Sequence, residues 1–104
     1  MKKLMEVKVA KYRKKPVIVE AFQMTKERRT KIDDWPMWLQ QAWQRGTCKG
    51  GIWPSHNDPE KRLVCGTPEG YLKIDWGDWI IKGAKEEIHL CKDKIFRETY
   101  EIVE

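Results

Sequence analysis

The chain has 104 residues, 40% apolar and 36% charged, with six Trp and a formal net charge of +5; this suits one domain that buries roughly two-thirds of its unfolded surface, and it is too apolar for a disordered tail. No run approaches the ~20 consecutive apolar residues of a membrane span, and Lys2, Lys3 and Glu6 interrupt any signal-like segment, so the expectation is an intracellular protein with no membrane partner. The three cysteines, Cys48, Cys65 and Cys91, are odd in number and lack CxxC spacing, which argues against a disulfide framework or a zinc knuckle and for a reducing compartment.

The charge is unevenly placed. Residues 1–31 hold eleven Lys or Arg against three Glu, a local +8, and the remainder carries −3. Clustered cations raise the local concentration of phosphates and speed their association, so the basic third points to an anionic partner; a solvated face that only keeps the protein soluble is the plainer alternative.

In chain order, residues 7–24 read as extended. Pro16 forbids a helix interior and pushes Lys15 toward β geometry, and Val17-Ile18-Val19 is β-branched. Period two puts Arg13, Lys15, Val17 and Val19 on one side and Tyr12, Lys14, Ile18 and Phe22 on the other, so cations lie at the strand's start while its second half enters the core. After a basic connection over 25–31, residues 33–46 carry the marks of a helix. Asp33 or Asp34 caps it, Pro36 sits in the first turn, Arg45 suits the negative end and Gly46 takes a left-handed stop. Trp35, Trp38, Leu39, Ala42 and Trp43 fall on one face, read as core rather than as a stacking platform.

Residues 49–60 hold Gly50-Gly51, Pro54 and Asn57-Asp58-Pro59, a loop around a short strand at Ile52-Trp53. The second half reads as a meander of strands at 62–65, 71–75, 79–82 and 87–91, joined by turns at 67–70, 76–78 and 83–85, which makes neighbours antiparallel. Asp93 is placed to cap a helical turn through Ile95, Phe96 and Thr99, and residues 100–103 alternate like a closing strand. The expected fold is α+β: a curved antiparallel sheet or small open barrel, with one main helix packed on it, in a single domain over 1–104.

Two stretches resemble a known family. Lys11-Tyr12-Arg13-Lys14-Lys15-Pro16-Val17-Ile18-Val19-Glu20-Ala21-Phe22-Gln23, and Gly77-Asp78-Trp79-Ile80-Ile81-Lys82-Gly83 followed by Cys91-Lys92, Ile95-Phe96 and Thr99-Tyr100-Glu101, look like short bacteriophage and prophage proteins of about 100 residues, mostly uncharacterised. The chain departs from that pattern where family members carry Pro (here Trp76), Gly (Glu86), Tyr-Pro (His89-Leu90) and Pro-Asp (Asp93-Lys94). In size and style it is similar to nucleotide sponges of the anti-CBASS type. That resemblance implies a phage anti-defence protein in the host cell cytoplasm, one that sequesters a cyclic oligonucleotide second messenger without cleaving it.

A cyclic dinucleotide offers two phosphodiesters and two bases, so its binder needs cations for the first and aromatic or guanidinium planes for the second. Tyr12, Arg13 and Lys15 on the first strand, Arg28 and Arg29 in the connection and Trp53 in the loop supply both. A site at a two-fold interface doubles each contribution, which makes a homo-oligomer the natural partner state. No cofactor or metal is called for, and catalytic residues are not expected. His89 and Cys91 share a strand face without an evident acid or base partner, Asp75 and Asp78 flank a turn, and no phosphate-cradling Gly loop, His-Glu-x-x-His or Gly-x-Ser-x-Gly occurs. The alternatives are a basic nucleic-acid-binding accessory protein, with Lys2, Lys3, Lys8, Lys11, Arg13, Lys14 and Lys15 on a phosphate backbone, and a minor virion or assembly component.

Overall fold

A computed structural model describes residues 10–103. The fold is α+β: two three-stranded antiparallel sheets, a one-turn helix α1 (Lys26–Arg29), a main helix α2 (Met37–Arg45) and a C-terminal helix α3 (Asp93–Thr99). One sheet runs in the order β1 (Glu20–Gln23), β5 (Trp79–Lys82), β6 (Ile88–Cys91), the other β2 (Ile52–Pro54), β3 (Leu63–Thr67), β4 (Gly70–Lys73).

The expected single sheet or barrel is therefore two sheets, because β4 and β5 do not pair. Residues 74–78 leave one sheet and enter the other. Ile74 is drawn into the core, Gly77 takes a φ of +95° open to glycine, and Asp78 Oδ2 accepts the Asp75 amide at 2.9 Å. The bonds that a hairpin turn would close on itself go to Met24 instead: Gly77 N donates to Met24 O at 2.7 Å, and Met24 N to Asp78 O at 2.9 Å. This link turns β5 toward β1, giving the register Phe22 opposite Ile80 and Gln23 opposite Trp79.

The first strand is shorter than expected. Only residues 20–23 pair, and residues 10–18 are exposed, so Val17 and Ile18, 60% and 80% exposed, do not enter the core. Residues 7–9 of that expected strand lie outside the described residues. Helix α2 spans Met37–Arg45, beginning four residues inside the expected 33–46. Asp33 and Asp34 sit in a separate 3-10 turn, Ile32–Asp34, and donate no cap; Pro36 precedes the helix, its carbonyl taking the amides of Leu39 and Gln40. Pro36 disfavours helical backbone at Trp35, which is extended. Gly46 ends the helix with a φ of +71°, as its sequence position suggests.

Helix α3 spans Asp93–Thr99 with Lys92, not Asp93, at its N-cap, and residues 100–103 form no strand. Leu39 and Ala42 of α2 and Trp35 just before it join Met24, Ile52, Leu63, Cys65, Ile74, Ile80 and Ile88 in one core that unites both sheets. Each fully buried Leu or Ile contributes on the order of 1.5–3 kcal/mol of transfer free energy.

Candidate functional site

The cations and rings that sequence analysis singles out do not all converge. Tyr12, Arg13 and Lys15 stand on the exposed segment 10–18, with Tyr12 89% exposed. Lys2, Lys3 and Lys8 lie outside the described residues. Arg28 and Arg29, neighbours on α1 (Lys26–Arg29), point to different partners because successive helical residues are about 100° apart. Arg29 donates from Nε to Lys61 O at 2.8 Å and lays its guanidinium 5.3 Å from the Trp43 ring centre, where burial lowers its pKa. Its role is to tie α1 to the core. Trp53 belongs to the second sheet, half-buried and edge-on to Tyr71 at 5.2 Å.

Of the six, Arg28 lines a groove of about 690 Å³ between β1, α1 and the 3-10 turn, and the other five are not in its lining. The local sequence builds it. Thr25 caps α1 by accepting the Arg28 amide at 3.2 Å, which fixes the turn leaving β1. Arg28 then folds back: Nη1 donates to Gln23 O at 2.8 Å, and the guanidinium lies 5.3 Å from the Phe22 ring centre. Lys31 adds a second cation to the lining, Glu27 and Asp34 add carboxylates, and Phe22, Trp35 and Trp79 supply aromatic surface. The Trp35 indole is fixed by donating to Arg28 O at 2.7 Å.

Trp79 is held from the α3 side. Its Nε1 donates to Asp93 Oδ1 at 2.8 Å, and the same oxygen accepts Arg97 Nε at 2.9 Å and Gln23 Nε2 at 3.3 Å. Donation by Trp79 and then by Arg97 holds the Asp93 carboxyl below its ordinary range, so it stays ionised and keeps all three donors. Lys31, Phe22, Trp35 and Trp79 line the groove without a pattern in the sequence that marks them as binding residues. Trp79 carried a positional signal only, since a Trp directly after the Gly77-Asp78 turn begins a strand at a sheet end.

The titratable groups elsewhere are matched in structural pairs. Buried Asp58 accepts Arg62 Nε at 2.7 Å, Lys73 Nζ at 3.1 Å and the Glu60 amide at 2.9 Å, clasping the 58–62 loop. Lys92 bridges Asp75 Oδ2 at 3.0 Å and Asp78 Oδ1 at 3.1 Å, so this carboxylate pair is a turn neutralised by a lysine. His89 Nε2 meets Glu87 Oε2 at 3.2 Å, a partner on its own strand face that the sequence did not advertise. Burial pushes the Cys65 thiol up to about 12 and raises that of Cys91, so neither is an activated thiolate. Among the described residues, no group of three or more His, Cys, Asp or Glu is placed to hold a metal ion, and no helix is long and apolar enough to cross a membrane.

Comparison with protein-family models, with curated proteins and with solved structures finds no match to this chain.

Proposed function

We propose that this chain is a phage anti-defence protein that binds and sequesters a cyclic oligonucleotide second messenger in the host cell cytoplasm without cleaving it. The observation that carries the reading is the groove itself: two cations, Arg28 and Lys31, beside the rings of Phe22, Trp35 and Trp79 in a concavity of about 690 Å³. That size falls within the ~300–1,000 Å³ of small-molecule sites, and the two side-chain types answer the two halves of a nucleotide, phosphate and base.

The test incubates the protein with a panel of cyclic di- and trinucleotides, removes free ligand, and heats the complex to release what was kept. Recovery of an intact member supports sequestration. A cleaved product, or retention of none, overturns the reading.

One observation favours a second reading, a nucleic-acid-binding protein: Lys11, Arg13, Lys14 and Lys15 are exposed in a segment that contains no acid. Affinity for a polyanion falls steeply with salt, by about tenfold for every phosphate or two neutralised over a decade of concentration, and does not discriminate among bases. A titration against single- and double-stranded DNA at two salt concentrations separates the two readings.

A further inference from the structure

Among the described residues, the outer edge of the first sheet has no partner strand. β1 is its terminal strand, hydrogen-bonded to β5 on one side only. Its backbone parity is fixed by two bonds. Met24 N turns inward to Asp78 O, while Gln23 O turns outward and is taken by Arg28 Nη1. Alternation along a strand then turns Ala21 outward with Gln23, and period two continued upstream adds Val19 and Val17. Pro16 falls in the inward set, so its missing N–H leaves this edge uninterrupted.

The same region is an exposed apolar patch. Val17, Ile18 and Val19 line a groove of about 500 Å³ with Tyr100, Ile102 and Val103. Ile18 and Ile102 are 80% and 84% exposed. A contiguous patch of this kind beside an open strand edge marks an interaction surface. The basic segment adjoining it carries Lys11, Arg13, Lys14 and Lys15 without an acid, and the groove at the other end of β1 offers the carboxylates of Glu27 and Asp34 beside the cations Arg28 and Lys31.

We propose that the occupant is a second copy of this chain, joined antiparallel through β1 and residues 17–19 about a two-fold axis, so that each copy lays its basic segment along the other's Arg28 groove. Pairing centred on Val19 sets Val17 opposite the partner's Ala21 and Lys15 opposite the partner's Gln23. Arg13 then reaches the partner's Thr25. The two Lys15 side chains end up about 27 Å apart along the strands, eight residues at ~3.4 Å each, well beyond the ~8–10 Å screening length, so the basic segments do not repel one another. Each meets the partner's Glu27 and Asp34, which share that lining with the partner's Arg28 and Lys31. The cations that a single chain leaves in solvent become part of a site, which, resting on the nucleotide reading above, places Arg13 and Lys15 where a second phosphodiester needs them.

The test measures the mass of the full chain in solution by light scattering and sedimentation with no nucleotide present. Twice the 12.4 kDa of one chain is expected. Val19→Pro removes an outward N–H from the joined edge yet lies before the first residue paired with β5; it is expected to halve the mass and leave the far-ultraviolet circular dichroism unchanged. Ile18→Pro, with an inward N–H, keeps the doubled mass. In a Cys48→Ser background, Val19→Cys is expected to form a covalent dimer under mild oxidation, since hydrogen-bonded antiparallel partners have Cα atoms about 5.5 Å apart, a disulfide distance. A wild-type mass of one chain at 100 µM, or a doubled mass in Val19→Pro without the covalent dimer in Val19→Cys, overturns the proposal. A dimer that retains no nucleotide leaves this interface standing and overturns only the functional reading.

Discussion

The indole of Trp79 lies flat on the ring of Phe96, centres 4.0 Å apart and planes within 7°, and Phe96 in turn stacks on Tyr100 at 4.9 Å. This ladder fastens α3 to the first sheet, and it does so at the residue that also lines the Arg28 groove. Phe96→Ala should cost about 2–3 kcal/mol, transfer plus lost stacking. Trp79→Phe keeps a ring on Phe96 but removes the donor to Asp93, and should cost about 1–1.5 kcal/mol. Urea unfolding of the two variants checks the order.

Arg28 and Arg29 separate binding from stability. Arg28→Ala removes a groove cation whose other ties among the described residues are one carbonyl and one ring, and on the proposed nucleotide reading it should weaken retention about tenfold with little change in unfolding midpoint. Arg29→Ala removes the contact to Trp43 and the bond to Lys61 O, and should cost about 1–2 kcal/mol of stability while leaving retention unchanged. Calorimetric titration and denaturant melts on both variants read the two effects separately.

Acid should weaken the fold through Asp58. Its hydrogen bond from Arg62 foremost, with the Glu60 amide and Lys73, holds the buried carboxyl well below the usual carboxylate range against the opposing effect of desolvation. The unfolded chain therefore binds this proton at a pH where the folded chain does not. The stabilisation is complete above about pH 4 and is lost as pH falls toward the folded value. Asp58→Asn should lower Tm by roughly 5–15 °C at pH 7, since it leaves Arg62 and Lys73 without their shared anion, and should flatten the acid limb of a Tm-against-pH curve. An unchanged acid limb would show that other carboxylates dominate it.

Glu86 has a φ of +66° in the turn between β5 and β6, a left-handed conformation that a side chain resists. Glu86→Gly should raise stability by about 0.5–1 kcal/mol, and Glu86→Ala should not, a contrast that thermal melts resolve.

Close backbone approach makes a different glycine irreplaceable. A Cβ on Gly66, in β3, would run into the carbonyl oxygen of Cys48, which is fixed backbone. At Gly83 the same atom would meet only the carboxylate end of Glu87, which can swing away. Gly66→Ala should cost about 2–3 kcal/mol and Gly83→Ala under 1 kcal/mol, compared by the same denaturant assay.

Short-range features of the chain were readable from residue order. The helix ending at Gly46, the short strand at Ile52-Trp53, the turn at 67–70 and the strand after Gly77-Asp78 were legible because period and turn chemistry depend on neighbours a few residues away. Their boundaries shifted where two local signals competed, as at Pro36 against the Asp33-Asp34 cap. Which strands pair and which side chains meet depends on the folded packing of distant segments. Burial of Ile74 and the bonds from the 77–78 turn to Met24 split the expected meander into two sheets. Gln23 and Trp79 then share Asp93, across sequence separations of 70 and 14 residues. Arg28 was legible as a cation and Trp79 as an apolar strand residue, but their meeting in one groove is a consequence of what the core could bury together. No pattern along the chain encodes that, because burial is non-directional and is satisfied by the whole set of apolar residues at once.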